Sequence, residues 1–178
     1  MKNILLIGGS SGIGYELSMK LENDHKVFVS TRNPDKFSGS NITAQKLDLN
    51  EDFNTDWLPE SLDGFIYLPG TINLRPFKGL KPSTFNDDFN INVLGCVKIL
   101  QAVLPKLQSS ESASLVFFST VAVKLGMPFH SSVSASKGAI EGLTRSLAAE
   151  FAPKIRVNAI APSIPVSYTH LTLPTILL

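Results

Sequence analysis

The chain has 178 residues, 43% of them hydrophobic and 17% charged, with 16 Lys+Arg against 15 Asp+Glu for a formal charge of +1. That composition argues for a globular core and against disorder, and the near-balance of charge gives no electrostatic reason to bind nucleic acid or an anionic membrane. The single cysteine, Cys96, can form no internal disulfide, no Cys/His cluster has metal-ligand spacing, and the length suits one domain.

After Lys2 an apolar run from Ile4 to Ile7 ends at once at Gly8 and Gly9. It is too short for a signal-peptide core or a membrane span, so a soluble, reducing, cytoplasmic setting is expected. Strands are predicted at Asn3–Ile7, Lys26–Ser30, Ala44–Leu47, Gly64–Leu68, Ser114–Phe118 and Ile155–Ile160. Several are apolar almost throughout, as in parallel strands covered on both faces. Between the fourth and fifth, Phe85, Phe89, Val93, Val97, Leu100, Leu104 and Leu107 recur in steps of three and four, the stripe of one long helix. Between the fifth and sixth, Ile140, Leu143, Leu147 and Phe151 form a second stripe, closed by Pro153. Strand and crossover helix in alternation define an α/β class with a doubly wound parallel sheet and helices on both faces.

The end of the chain reads differently. From Val166 to Leu178 there is no Asp, Glu, Lys or Arg and no clear period. The stretch resembles translated sequencing-adapter read-through, so residues 1–164 are taken as the dinucleotide-binding domain and 165–178 as a non-native tail, with an unusual native tail as the alternative.

Directly after the first strand stands Gly8-Gly9-Ser10-Ser11-Gly12-Ile13-Gly14, opening into a helix with Leu17 and Leu21 inward. Glycines suit a backbone that turns tightly while a diphosphate approaches with no Cβ in the way, and the helix start presents free N–H groups and partial positive charge. A glycine string alone is also a plain turn; the strand–turn–helix setting points to a dinucleotide, with Gly8, Ser10, Ser11, Gly12, Ile13 and Gly14 as candidate contacts. No Gly-Lys-Ser/Thr ends the turn, which argues against a nucleotide triphosphatase loop. After the second strand, where an NAD-selective protein carries an acid, this chain has Ser30-Thr31-Arg32-Asn33. Arg32 offers planar donors suited to a 2′-phosphate, so NADP(H) is favoured over NAD(H), against the plainer reading of a solvated arginine.

These features together resemble the short-chain dehydrogenase/reductase family, in its single-domain branch. The resemblance runs from Met1 to about Ile164 and implies a Rossmann-type sheet lacking its last strand. It places Asp48, followed by Leu49, at the adenine. It places Asn92, within Asn90-Ile91-Asn92-Val93-Leu94-Gly95, at a water of the proton relay. Phe117-Phe118-Ser119-Thr120-Val121-Ala122 matches the strand bearing the substrate-binding hydroxyl, here Thr120, and Ser134-Ala135-Ser136-Lys137-Gly138-Ala139 matches the helix of the active-site lysine. Arg156-Val157-Asn158-Ala159-Ile160-Ala161-Pro162 matches the strand and turn over the nicotinamide. By resemblance, then, Thr120, Lys137 and Asn92 are catalytic, while Asp48, Leu49, Gly70, Asn92, Lys137 and Pro162 join the cofactor contacts.

The departures bear on chemistry. The family's tyrosine stands four residues before the lysine, and Val133 occupies that position. The asparagine-rich turn after the fourth strand is Tyr67-Leu68-Pro69-Gly70, with only the final glycine kept. Carbonyl reduction needs a proton as well as a hydride, and valine donates none; losing a positioned general acid typically costs on the order of 10²–10⁴ in rate. His130 is a substitute if the helix extends back to it, and Ser119, Ser131, Ser132 and Ser134 add hydroxyls, although their plainer roles are loop residue and helix-start caps. Two readings follow: an NADP(H)-preferring oxidoreductase of a small carbonyl or alcohol with an atypical proton donor, or a nucleotide-binding protein that senses or scaffolds without turnover. The resemblance also implies a homodimer or homotetramer, and Ala139, Gly142, Ala148 and Ala149 suit close helix approach. Leu125, Pro128 and Phe129 give the visible substrate lining an apolar character.

Overall fold

The computed structural model describes residues 1–49 and 51–163. Six parallel strands form one sheet in the order β3-β2-β1-β4-β5-β6: β1 (Asn3–Ile7), β2 (Lys26–Thr31), β3 (Thr43–Lys46), β4 (Gly64–Tyr67), β5 (Ala113–Phe118) and β6 (Ile155–Ile160). The doubly wound sheet expected from the sequence is therefore present, with strand ends displaced by a residue or so; the expectation for 165–178 lies outside the described residues.

Side chains alternate across the sheet, so β1, β2 and β4 feed two cores. Leu5 and Ile7 of β1 join Phe65 and Tyr67 of β4, Leu115 and Phe117 of β5 and Ile155 and Val157 of β6 on one face. Ile4 and Leu6 join Val27 and Val29 of β2 on the other. The first face is covered by α3 (Gly95–Gln108) through Cys96, Ile99, Leu100, Val103 and Leu107, and by α5 (Ser131–Phe151) through Ile140. The second is covered by α1 (Gly12–Leu21) through Leu17 and Leu21. Each fully buried Leu, Ile or Phe side chain contributes roughly 1.5–3 kcal/mol.

The long helix predicted between β4 and β5 is instead α2 (Pro82–Phe89), a π turn at Asn90–Leu94, and then α3. The wider turn inserts one residue and shifts the phase of everything before it. Val93, Leu100 and Leu107 face the core as predicted, but Phe89 is 41% exposed and its neighbour Asp88 takes the inward position. Helix α5 has its stripe as expected, with Ile140 buried and Leu143, Leu147 and Phe151 packed against the same core. Its small residues divide: Ala139 and Ala148 pack inward, while Gly142 and Ala149 face out. Among the described residues no helix is long and apolar enough to cross a membrane, and no group of His, Cys, Asp and Glu is placed to hold a metal ion.

Candidate functional site

The glycine turn, Arg32, Asp48, Gly70, Thr120 and Pro162 each follow a strand's carboxyl end, Asn92 and Lys137 reach Gly70 from their helices, and the strand order reverses between β1 and β4, where doubly wound sheets open a crevice. At the end of β1 the chain turns with Gly8 at φ +87° and Gly12 at φ +51°, and Gly8 N–H donates to Ser30 O at 2.8 Å. A Cβ on Gly14 would lie 2.7 Å from Gly8 O and 3.0 Å from Gly9 Cα, so only glycine lets α1 start this close to the turn. Space beside Gly12 is open. Ser11, the residue before α1, is extended and its side chain makes no capping bond, and Ser10, Ser11 and Ile13 lie at or near the surface. A bare helix start under an open glycine turn fits the diphosphate of a dinucleotide.

Arg32 is exposed just past β2, and Asp48 and the half-buried Leu49 follow β3. Past β4, Pro69 packs on Gly8, and a Cβ on Gly70 would meet Asn92 Oδ1 at 2.9 Å and Lys137 Nζ at 3.3 Å. Gly70, Asn92 and Lys137, far apart in sequence, therefore meet at one point. Past β5, the Thr120 hydroxyl accepts the Ala122 N–H at 3.3 Å at the head of α4 (Ala122–Leu125), and Val121 N–H donates to Pro162 O at 3.1 Å, which brings the end of β6 alongside.

Lys137 is 8% exposed. Burial penalises its ammonium and lowers its pKa to about 8, against a smaller opposing influence of Cys96. The Cys96 thiol is itself pushed up to about 12 by burial. Tyr67, whose hydroxyl donates to Ile91 O at 2.7 Å, is raised by burial as well and stays neutral. Val133, 5% exposed, lies one turn before Lys137 and presents hydrocarbon to it along the helix.

The candidate substitutes for a tyrosine are placed as follows. Helix α5 begins at Ser131, so His130 precedes the helix instead of extending it, and its Nδ1 lies 2.7 Å from Pro128 O. Ser134 N–H donates to His130 O at 2.8 Å. The serines do not cap the helix start with their side chains. Ser132 is buried and donates to Asp88, and Ser119 donates to Glu141 at 2.6 Å, bonds that hold both hydroxyls away from a capping role. Leu125 and Phe129 are exposed, the latter at φ +68°, a strained backbone for an aromatic residue.

Sequence reasoning missed the group beneath this point. Asp88 is fully buried, and its carboxylate accepts from Ser132 Oγ, from Thr71 Oγ1 at 2.5 Å and from Asn73 Nδ2 at 2.7 Å. Asn92 Nδ2 donates to Asp88 O at 2.8 Å and lies 3.2 Å from both Thr71 Oγ1 and Ser136 Oγ, while its Oδ1 accepts the Thr71 N–H at 3.3 Å. The available signal was an acid at −4 from Asn92, one helical turn back, which the assumed regular phase turned outward.

With this geometry in place, the chain is a member of the short chain dehydrogenase family, which it matches over residues 2–172. It is 28% identical over 165 residues to human retinol dehydrogenase 8, covering 83% of this chain and 53% of that one. It is 30% identical to a tropinone reductase homolog of Datura stramonium, covering 90% of this chain and 67% of that one. Among solved structures, a short chain dehydrogenase of Shigella flexneri 2a complexed with NADP superposes with a TM-score of 0.83 at 29% identity, covering 91% of this chain and 77% of that one. A second, from Escherichia coli CFT073 and complexed with NADPH, gives 0.82 at 29%, covering 91% and 76%. The chain spans about half the length of the retinol dehydrogenases it matches.

Proposed function

We propose that this chain binds NADP(H) and interconverts a small carbonyl compound and its alcohol, with Lys137 itself moving the proton. The carrying observation is the meeting of Lys137 Nζ and Asn92 Oδ1 at Gly70, beside the glycine turn. When bound, the dinucleotide supplies or takes up the hydride. Gly8, Ser10, Ser11, Gly12, Ile13 and Gly14 would hold its diphosphate, Asp48 and Leu49 its adenine side, and Gly70, Asn92, Lys137 and Pro162 its nicotinamide side. Thr120 orients the substrate oxygen. In reduction the Lys137 ammonium gives one proton to that oxygen and becomes a neutral amine, which solvent reprotonates. A lysine with a pKa of about 8 is suited to this exchange, since a donor works best when its pKa lies near the working pH. His130 is the weaker candidate because it stands outside α5. NADP-bound and NADPH-bound neighbours support the choice of cofactor, as does Arg32. Leu125 and Phe129 favour a substrate with an apolar part. The outward Gly142 and Ala149 of α5 leave room for a second copy, and the setting we infer is cytoplasmic.

The test is oxidation of NADPH by the purified chain across a panel of aldehydes and ketones. Reduction slows as pH rises through about 8, where Lys137 loses its proton. Val133→Tyr restores a phenol one turn from the lysine, and the expected gain in kcat approaches 10²-fold. No turnover with any carbonyl, together with tight NADPH binding, supports the second reading, a nucleotide-binding sensor or scaffold; Val133 is the observation that favours it. Arg32→Ala is expected to weaken NADPH about tenfold in Kd and leave NADH nearly unchanged, measured by nucleotide fluorescence; equal losses for both overturn the assignment of Arg32 to the 2′-phosphate.

A further inference from the structure

The buried carboxylate of Asp88 has no place in the proton step described above, yet it organises the site's surroundings. Its acceptor oxygens take three neutral donors from two segments: Thr71 and Asn73 from the loop after β4, and Ser132 from the first turn of α5. No salt bridge found among the described residues involves it. Two of the three partners adjoin positions at the site. Thr71 follows Gly70, Ser132 precedes Val133, and Asn92 is tied both to the Asp88 carbonyl and to Thr71. Ser136, which Asn92 also reaches, precedes Lys137. A buried carboxylate is costly unless its lone pairs are satisfied, and once satisfied its bonds are stronger and more directional than neutral ones.

We propose that Asp88 is a positioning residue: its carboxylate clamps the Thr71–Asn73 segment and the start of α5 onto Asn92, and this clamp holds Lys137 against Gly70. The proposal rests on the function assigned above and adds what sets that geometry. A hydroxyl or amide in place of the carboxylate would not serve. Asparagine at 88 keeps the shape but replaces one acceptor oxygen with a donor, so Ser132 must turn its hydroxyl to accept, and the charge-assisted bond that fixes the start of α5 is lost. The consequence passes to Lys137 through the loosened first turns of α5. Its amine then gains water and becomes easier to protonate. Cys96 on α3, kept a neutral thiol by burial, is untouched by the change.

The test uses the whole chain and three variants, Asp88→Asn, Thr71→Val and Ser132→Ala, each first checked for native circular dichroism. The first readout needs no turnover: the pH dependence of Lys137 labelling by an amine-reactive ester, followed by peptide mass spectrometry. In Asp88→Asn the labelling midpoint is expected to rise by about one pH unit, with smaller rises in the other two variants. The second readout is the split between kcat and KM with NADPH: kcat falls at least tenfold while the Kd for NADPH, measured by fluorescence, changes less than kcat, because no residue of the Gly8–Gly14 turn bonds to Asp88. A well-folded Asp88→Asn whose labelling midpoint is unmoved overturns the proposal. So does a fall in Tm with labelling and kcat unchanged, which would make Asp88 structural only. Absence of turnover in the unmodified chain sinks the proposed function instead and leaves the labelling result standing on its own. If Asp88→Asn fails to fold, the labelling shifts in Thr71→Val and Ser132→Ala decide, and no shift in either overturns the clamp.

Discussion

Replacing Lys137 with methionine is expected to make the protein more stable and remove its turnover in one step. The folded-state pKa of about 8 lies below the ordinary 10.5, because burial penalises the ammonium. Both states are protonated at pH 7, so the folded state there carries the full penalty, which the difference between 10.5 and about 8 puts at about 3 kcal/mol. The unfolded chain binds the extra proton between these two values, so the stability of the unmodified protein rises as pH climbs from about 8 to 10.5. Methionine has similar length and no charge, so Lys137→Met gains a stability approaching that figure at neutral pH. At roughly 2–4 °C per kcal/mol for a chain of this size, Tm rises by several degrees. The gain should shrink by about half at pH 9.5, where the native lysine is already neutral. Carbonyl reduction should drop by a factor on the order of 10²–10⁴. Thermal unfolding at the two pH values, alongside an NADPH assay, checks each part; an unchanged or lower Tm at pH 7 would refute the account of the lysine. A site that is more stable when disabled is a common result of placing charge where chemistry needs it.

Gly14→Ala is the second change with a large effect. Its added methyl would sit 2.7 Å from Gly8 O and 3.0 Å from Gly9 Cα, both backbone atoms held by the end of β1. Neither can rotate aside as a side-chain end would, so α1 must withdraw from the turn. We expect a stability loss of about 1–3 kcal/mol from overpacking and at least a hundredfold weaker NADPH binding, because the helix start no longer meets the phosphates. Gly79→Ala is the control: nothing lies within 4 Å of its would-be Cβ, its φ is ordinary, and it belongs to an exposed turn at Phe77–Gly79. Titration of both variants with NADPH by fluorescence separates them; equal affinities would show that the turn does not depend on this close approach.

The sheet was legible because its central strands are covered on both faces. Ile4 to Ile7 and Phe65 to Tyr67 are apolar runs between turn residues, and their alternation between two cores needs no further signal. Strand ends were less so, since the hydrogen bonds that end a strand depend on its neighbour: Thr31 and Thr43 enter through pairing of β2 with β3. Lys137, Asn92 and Gly70 were readable as motif positions, and the structure brings them together. The Asp88 cluster was not, for two physical reasons. Its donors come from Thr71, Asn73 and Ser132, too widely separated for any local spacing to relate them. The helical stripe was also counted at a constant 3.6 residues per turn, which put Phe89 inward and Asp88 outward. The position of His130 stayed conditional for a similar reason, since periodicity cannot mark the residue at which a helix begins; it precedes α5, in keeping with the plainer reading of a loop residue.

The five residues Asn90–Leu94 thus act as an index for what lies before them. Winding these five as regular α-helix, with no residue removed, would rotate Pro82–Phe89 by about 100° against Gly95–Gln108. Phe89 would swing inward and Asp88 would be carried to the solvent, turning a polar centre into a greasy one with no side chain altered at either position. The width of that one turn, and no side chain within it, is what aims Asp88 at Asn92.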